Sequence, residues 1–139
     1  ALVGETIADA ARHVAGHPCV LVWGGETTGT MSGARGLGGR CQELALAAAR
    51  RLDQAGIAAT LLAAGTDGRD GSGDAAGAVV SERTWAEIRE AGRDPEEHLC
   101  RHDASRALDA AGALLRTGDT GTNVMDLSLL ATGWRRAAP

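Results

Sequence analysis

A helix-forming segment flanked by two apolar runs is the feature that most constrains the fold. The runs are "CVLVW" (19–23) and "IAATLLAA" (57–64), and a Gly or Pro residue directly precedes and follows each of them. Continuous apolar runs of this length are typical of strands buried on both faces. The segment between them, "RCQELALAAARRLDQAG", predicts a helix from about Arg40 to Gln54, with Gly56 after its end.

The rest of the chain continues this alternation of strands and helices. Residues 5–15 predict a leading helix, "ETTGTM" (26–31) a polar strand in a hairpin with the first run, and "AAGAVV" (75–80) a short strand. Further helices are predicted at Thr84–Ala91, Pro95–Leu99 and Ala104–Leu115, followed by two short apolar runs. The alternation predicts one α/β domain over residues 1–139, a three-layer α/β/α sandwich with a mixed sheet.

Composition excludes several classes of protein. No apolar run approaches the roughly 18 residues of a membrane span, and the first residues do not resemble a secretion signal. A net charge of −4 with 2% aromatic residues argues against a nucleic-acid partner. Three widely spaced cysteines without a Cys-x-x-Cys pair indicate neither disulfides nor zinc. We therefore expect a cytoplasmic protein without a membrane partner; a homo-oligomer is left open.

The first of three glycine-rich loops leads into the helix at Arg40. Glycines allow the backbone to approach a ligand, and a helix N-terminus offers unpaired N–H groups. The helix dipole disfavours a cation there unless an anion lies beside it, so Arg40 is predicted to contact a phosphate or carboxylate. Neither the P-loop nor the dinucleotide fingerprint fits this loop, and a simple flexible connection remains the alternative. Glu26 either orients Arg40 or faces water. The glycines predicted to approach the ligand are Gly36, Gly38 and Gly39.

The other two loops carry short polar side chains. In "GTDGRDGSGD" (65–74), Asp67, Asp70 and Asp74 follow an apolar run, where carboxylates can bind Mg²⁺ or accept a proton; backbone capping in a turn is the alternative. In "TGDTGTNVMD" (117–126), hydrogen bonds to neighbouring loops or ligand oxygens are predicted, with simple turn formation as the alternative. The residues concerned are Thr120, Thr122 and Asn123. Asp103 is predicted to be the N-cap of the helix that follows it.

Taken in order, these three segments resemble the MOFRL domain, the C-terminal half of type-2 glycerate kinases, once also called hydroxypyruvate reductases. The resemblance runs from about Leu21 to Leu130 through "GGETTGTMSGARGLGGRCQELALAAA", "AAGTDGRDGSGDAAGAVV" and "TGDTGTNVMDL". It implies an ATP- and Mg²⁺-dependent kinase that phosphorylates the 2-hydroxyl of D-glycerate. It also implies a preceding N-terminal kinase domain as partner, which supplies a catalytic lysine, with the active site in the cleft between the two domains.

The resemblance also implies roles for individual residues. Arg40 matches the arginine of the family's Gly-Gly-Arg-Asn-Gln-Glu segment, expected to face the carboxylate of glycerate or the transferring phosphate. Asp67 matches the aspartate of the Thr-Asp-Gly segment, expected to orient the substrate hydroxyl or accept its proton, with Thr66 beside it in the binding loop. The chain departs from the family pattern at three positions, with Cys41 in place of Asn, Asp119 in place of Pro and Met125 in place of a second Asn.

Two other functions stay open from the sequence. One is reduction of hydroxypyruvate with NAD(P)H, which the missing dinucleotide fingerprint disfavours. The other is a non-catalytic anion-binding module that has kept the fold. For the kinase, we expect residues 1–139 alone to be inactive because they supply only half of the active site.

Overall fold

Five helices and five strands make up the part of the chain that the structure describes. The computed structural model describes residues 1–14, 17–27 and 36–133. The helices are α1 (Leu2–Val14), α2 (Arg40–Ala55), α3 (Thr84–Glu90), α4 (Pro95–Cys100) and α5 (Ala104–Ala110). The strands are β1 (Cys19–Gly25), β2 (Ala59–Gly65), β3 (Gly77–Ser81), β4 (Leu114–Leu115) and β5 (Asp126–Thr132).

The strands form one sheet in the order β1-β5-β2-β3-β4, with every neighbouring pair antiparallel. The predicted α/β class is confirmed, but the predicted mixed sheet is wrong. The β1–α2–β2 unit does place β1 and β2 parallel to each other, as a helical crossover requires. The last strand, β5, then inserts between them and pairs antiparallel with both.

One face of the sheet packs against the helices. Its residues Leu61, Val80 and Leu130 lie in the same buried cluster as Leu46 and Leu52 of α2. The opposite face exposes Val20, Val22 and Val79, which have exposed fractions of 50%, 61% and 38%. Burial of β1 on both faces is therefore a wrong prediction, and within the described ranges the domain has two layers instead of the predicted three. An antiparallel sheet tolerates one solvated face.

One prediction for a shorter element also needs correction, and another lies mostly outside the described residues. The helix predicted over residues 104–115 ends at Ala110, and Gly112, with φ +65°, turns the chain into β4. Leu114 then pairs with Ala78 of β3. The predicted hairpin strand "ETTGTM" lies mostly outside the described residues, and β1 takes β5 as its antiparallel partner. Among the described residues, no helix has the length and apolarity needed to cross a membrane.

Candidate active site

The insertion of β5 brings three strand ends to one edge of the sheet. Asp126, the first residue of β5, pairs with Gly25 at the end of β1 and with Gly65 at the end of β2. Glu26 therefore lies on one side of Asp126, and the loop that begins at Thr66 lies on the other. Because α2 starts at the same edge, Arg40 also lines this cleft, which has a volume of about 1090 Å³.

The second and third glycine-rich loops contact each other directly at this edge. The Thr120 hydroxyl donates to the Thr66 carbonyl at 2.5 Å, and the Thr120 N–H donates to the Asp67 carbonyl at 3.3 Å. The Asp67 carboxylate accepts hydrogen bonds from the Arg69 N–H at 3.0 Å and from Asn123 Nδ2 at 3.3 Å. Thr66, Thr120 and Thr122 make these contacts between and within the loops and do not line the cleft among the described residues. Asp67 and Asn123 do line it.

The N-terminus of α2 is capped by a residue distant in the chain. Asp70 is 6% exposed, and its two carboxylate oxygens accept the N–H groups of Cys41 at 3.1 Å and Gln42 at 2.8 Å. Burial raises the pKa of Asp70, and the two N–H donors act in the opposite direction. These two helix N–H groups therefore bind an internal carboxylate and are not free to bind an external anion.

The Arg40 guanidinium contacts two carboxylates of the protein. Nη1 donates to Glu26 Oε1 at 2.5 Å, and Nη2 lies 3.6 Å from Asp126 Oδ2. The hydrogen bond to Glu26 is the main cause that raises the pKa of Arg40, so this side chain is always charged. The cation at the helix N-terminus is therefore offset by neighbouring negative charge, as predicted, and in this structure that charge belongs to carboxylates of the protein itself.

The described part of the first loop, residues 36–39, is held against the turn between α4 and α5. The Leu37 N–H donates to Asp103 Oδ1 at 2.7 Å, and the Ser105 N–H donates to the Leu37 carbonyl at 2.9 Å. Asp103 precedes α5 as predicted, but its side chain binds the loop instead of capping the helix. Burial opposes its ionisation, yet the bonds from Leu37, Arg106 and His98 lower the pKa of Asp103. Residues 33–35 of this loop lie outside the described residues.

The residues predicted to bind Mg²⁺ have other partners in the structure. Asp70 caps α2, and Asp74 lies outside the cleft, where Arg116 Nε donates to it at 3.1 Å. Among the described residues, no group of three or more His, Cys, Asp or Glu side chains is arranged to hold a metal ion. These residues therefore do not form a Mg²⁺ site by themselves, and the role stays a prediction.

The cleft is more acidic than an anion site alone would require. Within the described parts of the chain, five carboxylates line it, against the two arginines Arg40 and Arg69. The carboxylates belong to Glu26, Glu43, Asp67, Asp70 and Asp126. Asp126 and Glu43 were not predicted as site residues from the sequence, and Glu43 Oε2 lies 2.8 Å from Nδ1 of His102. The signal for Asp126 was its position directly after the third polar loop, at the start of an apolar run.

Met125 lies beside this acidic site in a strained backbone conformation. Its φ is +70°, in the left-handed region, which costs most L-residues about 1–2 kcal/mol and which Asn tolerates better. Its carbonyl accepts the Thr66 N–H at 3.0 Å and the Thr66 hydroxyl at 2.7 Å, so the conformation is used to join the loops.

Met125→Asn is therefore expected to raise the free energy of unfolding by about 1 kcal/mol, measured by urea denaturation. The matched control is Val124→Asn at the exposed neighbouring position, where φ is not positive and no gain is expected. A Met125→Asn protein no more stable than the Val124→Asn protein would show that the backbone strain is absent.

The fold and the cleft thus define an α/β domain that presents one arginine among several carboxylates at the end of a sheet. The MOFRL family model matches residues 19–126, and the chain belongs to the MOFRL family. It is 50% identical over 111 residues to a D-glycerate 2-kinase of Thermotoga maritima, covering 79% of this chain and 26% of the relative. It is 49% identical over 107 residues to a glycerate 2-kinase of Pyrococcus horikoshii, covering 77% and 24%.

Two further comparisons agree with this assignment. The crystal structure of glycerate kinase from Thermotoga maritima superposes with a TM-score of 0.88 at 42% identity, covering 94% of this chain and 33% of that one. A protein of Agrobacterium vitis named as a hydroxypyruvate reductase is 43% identical over 118 residues, covering 84% of this chain and 30% of the relative. The chain spans about a quarter to a third of these proteins and corresponds to the C-terminal part of the glycerate 2-kinases.

Proposed function

We propose that this chain is the C-terminal domain of an ATP-dependent glycerate 2-kinase and forms one wall of its active site. The observation that carries the proposal is the convergence of Arg40 and the hydrogen-bonded Asp67–Asn123 pair on a single cleft. The sequence relatives named as glycerate 2-kinases supply the substrate class. The other wall belongs to the N-terminal domain that the resemblance implies.

Phosphoryl transfer asks the protein mainly to position the reactants and to neutralise charge. In this proposal, ATP supplies the phosphoryl group, the 2-hydroxyl oxygen of D-glycerate forms the new P–O bond, and ADP leaves with the electrons of the broken one. Asp67 accepts the hydroxyl proton, and Asn123 with the Arg69 N–H holds its carboxylate in place. Arg40, which is 45% exposed, neutralises the carboxylate of glycerate or the transferring phosphate.

The charges in the cleft explain why the domain needs a partner. Counting only residues that the structure describes, five carboxylates against two arginines disfavour an anionic substrate, so tight binding is expected to need a further cation. This chain contains no lysine, whereas the resemblance implies a catalytic lysine in the N-terminal domain. Residues 1–139 alone are therefore expected to fold without turning over glycerate.

The test compares the natural gene product that contains this chain with residues 1–139 alone. ADP release that depends on D-glycerate, present in the longer protein and absent from the isolated domain, is the expected result. Oxidation of NADH or NADPH by hydroxypyruvate without ATP would identify a reductase instead. A protein active in neither assay would contradict the kinase and favour the anion-binding module.

A further inference from the structure

We infer that Asp126 is the positioning residue that holds Arg40 at the cleft, while Glu26 is an exchangeable partner that the substrate anion displaces. The inference rests on the proposed function, in which Arg40 binds an anion. It assigns different roles to the two carboxylates that contact one guanidinium. From the sequence, Glu26 was the one carboxylate predicted to orient Arg40, with exposure to water as its alternative.

The backbone fixes Asp126 more firmly than Glu26, the other carboxylate that contacts Arg40. Asp126 pairs with Gly25 of β1 and Gly65 of β2, so neighbouring strands hold it on both sides. Its side chain is only 15% exposed, and its Oδ2 is buried without a hydrogen-bond partner. The guanidinium 3.6 Å away is therefore the cation that compensates this buried oxygen, because an uncompensated buried carboxylate is costly.

Glu26 has the opposite environment. Its side chain is 51% exposed, and it follows the end of β1, outside the strand ladder. An exposed ion pair contributes little net stability, because water replaces the lost contact at almost no cost. An anion that enters the cleft can therefore take the place of Glu26 on Arg40 Nη1, whereas removal of Asp126 would leave the guanidinium without its buried partner.

These roles predict opposite effects on the KM for D-glycerate. Glu26→Gln removes the competing anion, so KM is expected to fall about two- to fivefold. Asp126→Asn removes the buried charge that fixes Arg40 and leaves the exposed Glu26 as its charged partner, so KM is expected to rise and kcat/KM to fall about tenfold or more. If both residues were purely structural, Glu26→Gln and Asp126→Asn would both impair catalysis. Their KM values would then not change in opposite directions.

The experiment is a pair of double-mutant cycles with Arg40→Ala in the full-length protein, with thermal unfolding recorded for every variant. If Asp126 and Glu26 act through Arg40, each second substitution changes kcat/KM by less than twofold in the Arg40→Ala background. Matched controls are Asp9→Asn, which removes the partner of Arg51 Nε at 2.8 Å, and Glu97→Gln, which removes the partner of Arg101 Nη1 at 2.7 Å. Both controls are expected to match the wild type in activity.

The outcomes separate the inference from the proposed function. A wild type without glycerate kinase activity, or an Arg40→Ala variant as active as the wild type, overturns both. An active wild type with an impaired Arg40→Ala variant keeps the function. In that case, a wild-type KM in Asp126→Asn, a raised KM in Glu26→Gln, or an Asp126→Asn effect that persists without Arg40 overturns the inference alone.

Discussion

Replacing Arg40 by alanine in the full-length protein is expected to lower kcat/KM for D-glycerate phosphorylation by about 10²- to 10³-fold, the usual effect of removing one preorganised charge-stabilising donor. The physical reason is that Arg40 and Arg69 are the only arginines lining the described cleft, and Arg40 starts a long helix whose position the rest of the fold fixes. Its side chain is 45% exposed and packs little, but its loss leaves the buried Asp126 Oδ2 without a compensating cation, so a moderate loss of stability is expected beside the loss of activity. Steady-state kinetics with ATP and D-glycerate measures the loss.

The matched control is Arg51→Ala on the same helix. Arg51 donates to Asp9 of α1 and is partly exposed, so it reports the cost of losing an arginine from α2 away from the cleft. Arg40→Lys should recover only part of the activity, because an ammonium keeps the charge but cannot reproduce the planar fork of donors. Equal activity in Arg40→Ala and Arg51→Ala would exclude the proposed role of Arg40.

Gly39→Ala is expected to destabilise the protein by about 3 kcal/mol, near the upper end of overpacking effects. The backbone of Gly39 is extended, with φ −139°, so strain in φ is not the cause. A Cβ at this position would overlap the carboxylate and the backbone carbonyl carbon of Asp70, which caps α2. The new methyl group therefore has to displace the residue that accepts the first N–H groups of the helix.

The destabilisation is measured as the free energy of unfolding in urea, with Gly73→Ala as the matched control. Gly73 lies in the same acidic loop as Asp70, and the nearest heavy atom to an added Cβ is 3.9 Å away. We expect a change within about 0.5 kcal/mol for this exposed control. A Gly39→Ala protein as stable as the control would mean that Asp70 does not pack against this part of the helix entrance.

Much of the candidate site followed from local sequence, because glycine runs, apolar runs and helix formers act over a few residues. The start of α2 at Arg40, the strands around it and the polar loops after β2 and before β5 were all predicted in place. The capping role of Asp70 was weighed as a turn effect within its own loop. Its actual partners, Cys41 and Gln42, lie 29 and 28 residues away, a distance that no local pattern reveals.

Local sequence is enough to say which segments become strands and helices and which loops carry the polar side chains, because propensity and periodicity are properties of neighbouring residues. The position of β5 between β1 and β2, which makes every pairing antiparallel and places Asp126 between Glu26 and Asp67, emerges only when the strands assemble into the sheet. Strand order depends on which long-range pairing buries the most apolar surface against the helices. The strand order therefore depends on the whole chain, and it places the carboxylate of Asp126 beside Arg40.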